Sequence, residues 1–408
     1  MQDGVQDGAP DGGHDGTSSF RLFGAAATTP VADALTDDAA WARAMLAFEG
    51  ALARAAGEVG LVDAAAATVV AEVCAKAGQD VRAHLDLAAL ATGTATQATP
   101  VVDLVRQLRA LVPADARHAV HVAATSQDVV DTAAMLVMRD CVGATYDEVA
   151  AIFEQLAGLA RGHRSTAMVG RTLLQHGEPT TFGALCAVRL VAVREALAKA
   201  STLTGRPPVQ LGGAVGTLAA AGTARQALVE RVADLLGLSV PLTSWHPTRG
   251  PVVEIAASLG ILAGELTGIA QDVVLLASTD VAEVSVATPG GSSAMPHKQN
   301  SSRAVLALAC AHRVPGLVAT LFAGMPGELQ RAAGRWQAEA PVLVDLLRLV
   351  DATAAHVRAS LDGLVVHPDR MRTAVDALLA RTGGTLDTSA AEAVVDRALG
   401  GPHEEDHA

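Results

Sequence analysis

From Glu254 onward the apolar residues Ile255, Leu259, Leu262, Leu266, Ile269, Val273 and Leu276 advance in alternating steps of four and three. A repeat near 3.5 residues keeps one stripe of a helix turned to its neighbours and makes it supercoil against helices of the same kind. The pattern predicts a core helix of a left-handed bundle, and Pro251 stands just ahead of it, where a helix tolerates proline best. The spacing returns in Leu343, Leu347, Val350, Ala354, Val357 and Leu361, and less cleanly between Tyr146 and Leu159 and between Leu185 and Leu203. β-Branched runs of period two bounded by turn residues are scarce, so the predicted fold is all-α.

Breaks in this pattern divide the chain into an N-terminal helical domain over residues 20–115, a central long-helix bundle over 116–340 and a C-terminal helical cap over 341–400. Residues 1–19, MQDGVQDGAPDGGHDGTSS, are acidic and Gly-rich where a signal peptide needs a basic start and an apolar middle. They are expected to form a disordered tail, and 401–408 a frayed end.

Composition narrows the core and the partners. Hydrophobic residues make up 50% of the 408 positions and aromatics only 2%, so the interior is packed with Ala, Leu and Val, which suits close helix contacts. The net charge of -13, without any Lys/Arg-rich run, argues against nucleic acid or an anionic membrane as partner. The longest uncharged stretch, Pro207 to Ala224, is interrupted by prolines and glycines and is not read as a membrane span. Cys74, Cys141, Cys186 and Cys310 lie far apart with no CxxC pair, which fits a reduced, cytoplasmic protein.

Candidate chemistry sits in the breaks. TSQD, from Thr125 to Asp128, has a hydroxyl cap and an acid in the first turn of a helix, and the free N–H groups of such a terminus can also bind a carboxylate with Thr125, Ser126 and Gln127. GRTLLQH carries Arg171, Thr172, Gln175 and His176 within about two helical turns, close enough for some to share a face. Arg171 can fork onto a carboxylate, although a lone arginine is more often a surface residue. His118 and His121 are three apart, but no Cys, Asp or Glu cluster completes a metal site, and no metal or cofactor is expected.

GGSSAMPHKQNSS, Gly290 to Ser302, combines two glycines expected to hinge, the hydroxyls of Ser292 and Ser293, and Pro296 before Lys298 and Asn300. Such a loop can close over an anion and stabilise added negative charge. Composition alone fits a solvent-exposed Gly/Ser loop equally well.

GSSAMPHKQN matches the GSSxMPxKxN signature of the fumarase/aspartase superfamily, and the chain resembles that superfamily from about Phe20 to near its C-terminus. HVAATSQDVVDT, LLQHGEPTTFG, LGGAVGTLA, SWHPTR and LQRAAGRWQAEAPVL fit the resemblance. Leu173 replaces the histidine that many of these lyases carry in a THxQ motif, and in this the chain is similar to the bacterial 3-carboxy-cis,cis-muconate cycloisomerases. It departs from the usual pattern at Ala123, where the family has Gly, at Gln299, Ser301 and Gln337, and around WHPTRGP, which keeps His246 and Arg249.

The resemblance implies closure of 3-carboxy-cis,cis-muconate to 4-carboxymuconolactone, in the protocatechuate branch of aromatic-ring degradation. A carboxylate adds across C=C, and a proton moves at the carbon α to another carboxylate through an aci-carboxylate. It assigns proton exchange to Ser292 and charge stabilisation to Lys298 and Asn300. Ser293, Met295, Thr125, Ser126, Gln127, Arg171, Thr172, Gln175 and His176 become substrate contacts, and His246 and Arg249 further anion contacts. It also implies a homotetramer whose active sites combine loops from three subunits. Another lyase of the superfamily, acting on a different small acid, is the alternative.

Overall fold

The computed structural model describes residues 21–400, so the tail expectations for 1–19 and 401–408 lie outside the described residues. The N-terminal part comprises α1 (Arg21–Gly24), α2 (Pro30–Thr36), α3 (Asp38–Glu58), α4 (Ala64–Gln79), α5 (Val81–His84), α6 (Leu87–Gln97) and α7 (Val101–Leu111). The central part begins with α8 (Ser126–Gly162), a hairpin of β1 (Ala167–Thr172) and β2 (Gln175–Thr181), and α9 (Phe182–Gly205). There follow α10 (Arg225–Leu236), α11 (Gly250–Leu276), β3 (Val284–Ser285), α12 (Ser302–Ala311) and α13 (Val314–Gly324). The chain closes with α14 (Glu339–Leu361), β4 (Val365–Val366), α15 (Pro368–Thr382) and α16 (Ser389–Leu399).

The fold is helical, as the periodicity predicts. All seven heptad positions of α11 are buried, Pro251 lies in its first turn, and the six positions spaced along α14 are buried as well. α8, α9, α11 and α14 pack on one another as the central bundle, with α12 against α11 and α14. One hydrophobic core runs from Ala39 to Ala398. The cap expected from residue 341 therefore starts inside a bundle helix, and only α15 and α16 lie on its flank, against β1 and α9 respectively.

Two features depart from the expectation. GRTLLQH is no pair of helical turns but the tip of an antiparallel hairpin, in which Arg171 pairs with His176 and Thr172 with Gln175. Cross-strand partners share a face of a two-stranded ribbon and successive residues alternate, so the four side chains divide two and two. Leu173 and Leu174 form the two-residue turn with φ of 50° and 61°, the left-handed geometry that matches strand twist. The local β-branched residues Val169, Thr172, Thr180 and Thr181 favour strand over helix there.

The second departure concerns two apolar segments. Gly250–Leu276 and Ser302–Gly324 are long and apolar enough to cross a membrane by length and composition. The first is a core helix of the bundle. The second is α12 and α13, whose outer faces leave Val305 and Phe322 half exposed.

Candidate active site

The sequence places one group of polar residues at the start of α8 and another beyond its end. At 1.5 Å rise per residue, this 37-residue helix separates the two by about 55 Å. α11 runs in the same direction across the bundle, with Arg249 at the α8 N-terminal end and Glu283, after its last turn, at the hairpin end.

At the first end Thr125 is the N-cap of α8, and its backbone N–H donates to Asp128 Oδ2 at 2.8 Å, the capping-box bond that T-x-x-D predicts. Asp128 is fully buried and also accepts from the N–H groups of Gly212 (2.8 Å) and Gly213 (3.0 Å). Gly213 has φ +65, and a Cβ there would meet the Ala123 carbonyl at 2.8 Å. Ala123 has φ 59, the left-handed conformation in which a glycine is at ease and alanine is strained.

Thr125 Oγ1 accepts from Arg331 Nη1 at 2.5 Å, and Gln127 Oε1 accepts from Arg331 Nε at 3.3 Å. Arg331 was not singled out in the sequence. It sits in the segment between α13 and α14, where Leu329 and Ala332 also have positive φ, and only the fold brings it onto TSQD. Ser126 lines a cavity of about 420 Å³ with His121, Arg106 and Arg109. His121 Nδ1 is 2.6 Å from Glu49 Oε1. Burial pulls the imidazole pKa down, but the hydrogen bond and charge of Glu49 outweigh this and lift it above 6.5.

His246 and Arg249, expected as anion contacts, are both buried and engaged within the protein. His246 Nε2 is 2.7 Å from Asp128 Oδ1. Arg249 lies over the Trp245 ring and forks onto both Asp131 (2.8 and 2.9 Å) and Glu339 (2.8 and 2.5 Å). Burial raises the Glu339 pKa, Arg249 lowers it, and Asp131 adds to the rise. These two residues tie α8, α11 and α14 together beneath the site. Gln127 is also fully buried, its amide donating to the His246 carbonyl at 3.0 Å, so it reaches the site through Arg331.

At the other end the loop from Gly290 to Asn300 is closed at its neck. Gly290 N–H donates to Asn300 O at 2.9 Å and Asn300 N–H to Gly290 O at 3.1 Å. The Asn300 amide donates to the carbonyls of Gly290 (3.3 Å) and Gly291 (3.0 Å), so in this conformation it holds the loop and does not reach outward. Gly290 is no hinge: a Cβ there would fall 1.8 Å from Ser302 Oγ, whereas Gly291 has open space around it.

Within the loop, Ser292 Oγ accepts from Met295 N–H at 3.1 Å, and a donated N–H favours an anionic oxygen. Lys298, Ser293 and Met295 are exposed, and the Lys298 ammonium has no ion-pair partner among the described residues. Arg171 on the hairpin is bound bidentately by Glu283. Thr172, Gln175 and His176 are exposed at its tip. Among the described residues no group of three His, Cys, Asp or Glu side chains is placed to hold a metal.

A lyase family model matches residues 27–316, which takes in the TSQD cap, the hairpin and the loop. The chain belongs to this lyase family, the fumarase/aspartase superfamily. It is 40% identical to a 3-carboxy-cis,cis-muconate cycloisomerase of Bradyrhizobium diazoefficiens, over 84% of this chain and 76% of that one. It is 41% identical to a nitrosuccinate lyase of Streptomyces davaonensis, over 92% and 80%. The crystal structure of 3-carboxy-cis,cis-muconate lactonizing enzyme from Pseudomonas putida superposes with a TM-score of 0.80 at 33% identity, covering 92% of this chain and 86% of that one.

As a lyase of this family, the chain presents two incomplete constellations. One end offers hydroxyls beside Arg331, Arg109 and His121. The other offers a serine and an ammonium on a closed loop.

Proposed function

We propose that the protein is a cycloisomerase that closes 3-carboxy-cis,cis-muconate to the γ-lactone 4-carboxymuconolactone. One substrate carboxylate oxygen adds to an alkene carbon, and a proton is delivered to the carbon α to a second carboxylate. The intermediate is an aci-carboxylate with two negative charges on one carboxyl group. The observation that carries the reading is that Ser292 Oγ, already holding one N–H, and the Lys298 ammonium, without an ion-pair partner among the described residues, share one exposed loop. Ser292 exchanges the proton, and Lys298 with loop N–H groups meets the accumulating charge where water is excluded. Thr125, Ser126 and Arg331 hold one carboxylate, and Thr172 and Gln175, which share one face of the hairpin, meet another, with His176 on the opposite face beside Arg171.

The reading includes a homotetramer with shared sites. Groups about 55 Å apart along α8 cannot act on one small molecule within a single chain. The half-exposed apolar faces of α12 and α13 suit packing against copies of the bundle, and Leu173, 96% exposed at the hairpin tip, suits insertion into a neighbour. The four cysteines are buried and unpaired, with thiol pKa values raised chiefly by burial, which agrees with a reduced cytoplasmic setting.

A second reading rests on the nitrosuccinate lyase relative, which matches 92% of this chain. There the same loop removes a proton β to the nitro group, a C=C bond forms and nitrite leaves. Following loss of the muconate chromophore beside nitrite release from nitrosuccinate, with purified protein, separates the two. Chromophore loss that vanishes in Ser292→Ala supports the first, and nitrite release without it supports the second.

A further inference from the structure

Arg171 looks in sequence like a carboxylate ligand, but its geometry gives it other work. Both oxygens of Glu283 are taken by its two terminal nitrogens, Nη2 to Oε1 at 2.6 Å and Nη1 to Oε2 at 2.9 Å. Nη1 also donates to the Val169 carbonyl at 3.2 Å. The Glu283 side chain is 2% exposed, so the pair is withdrawn from solvent at one partner and largely so at the other. The fork that would receive a substrate carboxylate is occupied by an internal one.

Glu283 in turn is fixed by its backbone. Its N–H donates to Leu276 O and its carbonyl accepts from His367 N–H, each at 2.9 Å. The next two residues, Val284 and Ser285, pair with Val366 and Val365, and Ser285 Oγ lies 3.0 Å from His367 Nε2. Five residues after Ser285 comes Gly290, the neck of the loop that carries Ser292 and Lys298. On the hairpin side, Val169 packs with Val375 and Leu378 of α15, in a small cluster separate from the main core, and α15 starts directly after His367. The contacts form a ring: β1, α15, β4, β3, Glu283, Arg171 and β1 again.

We infer that Arg171 is a positioning residue that fastens the hairpin to the root of the catalytic loop through Glu283, and does not bind substrate. The inference rests on the cycloisomerase reading for its kinetics but not for its structural readout. A largely buried ion pair offsets much of its attraction with the cost of desolvation, while the two-point fork between Arg171 and Glu283 fixes one geometry. Here that geometry is the placement of the β1–β2 hairpin against the Glu283–Ser285 segment that leads into the loop.

The test compares full-length Arg171→Gln, Glu283→Gln and the double variant by steady-state kinetics and by amide hydrogen exchange over residues 286–301. A positioning role lowers kcat in each single variant on the order of 10- to 100-fold with little change in KM. It speeds loop exchange in both, and the double variant is no worse than either single one. A rise in KM at unchanged kcat in Arg171→Gln, with Glu283→Gln silent, would make Arg171 a substrate ligand and overturn the inference. If a single variant does not fold, the reversed pair Arg171→Glu with Glu283→Arg replaces it: recovery of loop protection supports the coupling, and a folded protein with an unprotected loop refutes it. Absence of muconate turnover in the parent protein refutes the cycloisomerase reading alone, because hydrogen exchange needs no substrate.

Discussion

His246 Nε2 lies 2.7 Å from Asp128 Oδ1, and neither side chain has any exposure to solvent. With the N–H groups of Thr125, Gly212 and Gly213, this carboxylate accepts from four donors. It is the point on which the TSQD cap, the glycine turn and the Trp245–His246 segment converge. Asp128→Ala leaves those donors buried without an acceptor, and should cost about 3–5 kcal/mol in chemical denaturation. A loss below roughly 1 kcal/mol would mean that the cap stands without it.

Ala123 occupies a left-handed position, with φ 59, that favours glycine. Ala123→Gly should therefore stabilise the protein by about 1 kcal/mol, since relief of the Cβ clash exceeds the added freedom of the unfolded chain. Thermal unfolding of the two proteins side by side checks the sign.

Lys298 holds no ion pair among the described residues, so its charge is available for the substrate. Lys298→Met should leave the unfolding midpoint unchanged and reduce kcat by roughly 10²- to 10³-fold, as loss of a donor aimed at developing charge does. Undiminished turnover would remove the lysine from the mechanism.

Arg331 and Ser292 stand at opposite ends of the bundle. Arg331→Ala and Ser292→Ala chains should each be nearly inactive alone, while mixed oligomers regain part of the activity through sites that receive both intact residues. Verified hybrids without activity would place a complete site within one chain.

The His121–Glu49 pair gives a pH dependence of stability. The folded imidazole pKa is raised, so the stabilisation it brings is complete below the ordinary value of 6.5 and fades as pH rises through the folded value. The stability difference between the parent and Glu49→Gln should shrink across that window. A difference that grows with pH would show that burial, not Glu49, governs the imidazole.

The helical bundle was legible in the chain because a repeat of 3.5 is a local geometric property: Ile255 to Leu276 face one way whatever they meet. The TSQD cap was legible for the same reason, since T-x-x-D is a short-range contact, whereas the loop neck, where Gly290 was expected to hinge, is held by Asn300 ten residues on. The hairpin was misread because RTLLQH carries no period of its own, and its strands are held by α15, 200 residues downstream in sequence.

What the sequence by itself determined is thus the family, the helices and the residues that carry charge and hydroxyls. Tertiary structure alone decided how each of them is spent. Arg331 faces TSQD while Arg249, an equally charged residue, is sealed between Asp131 and Glu339, and Arg171 is given to Glu283. The physical reason is that a charged group's role depends on whether its counter-charge is internal or left to a ligand, and the counter-charges here lie from 90 to more than 100 positions away along the chain.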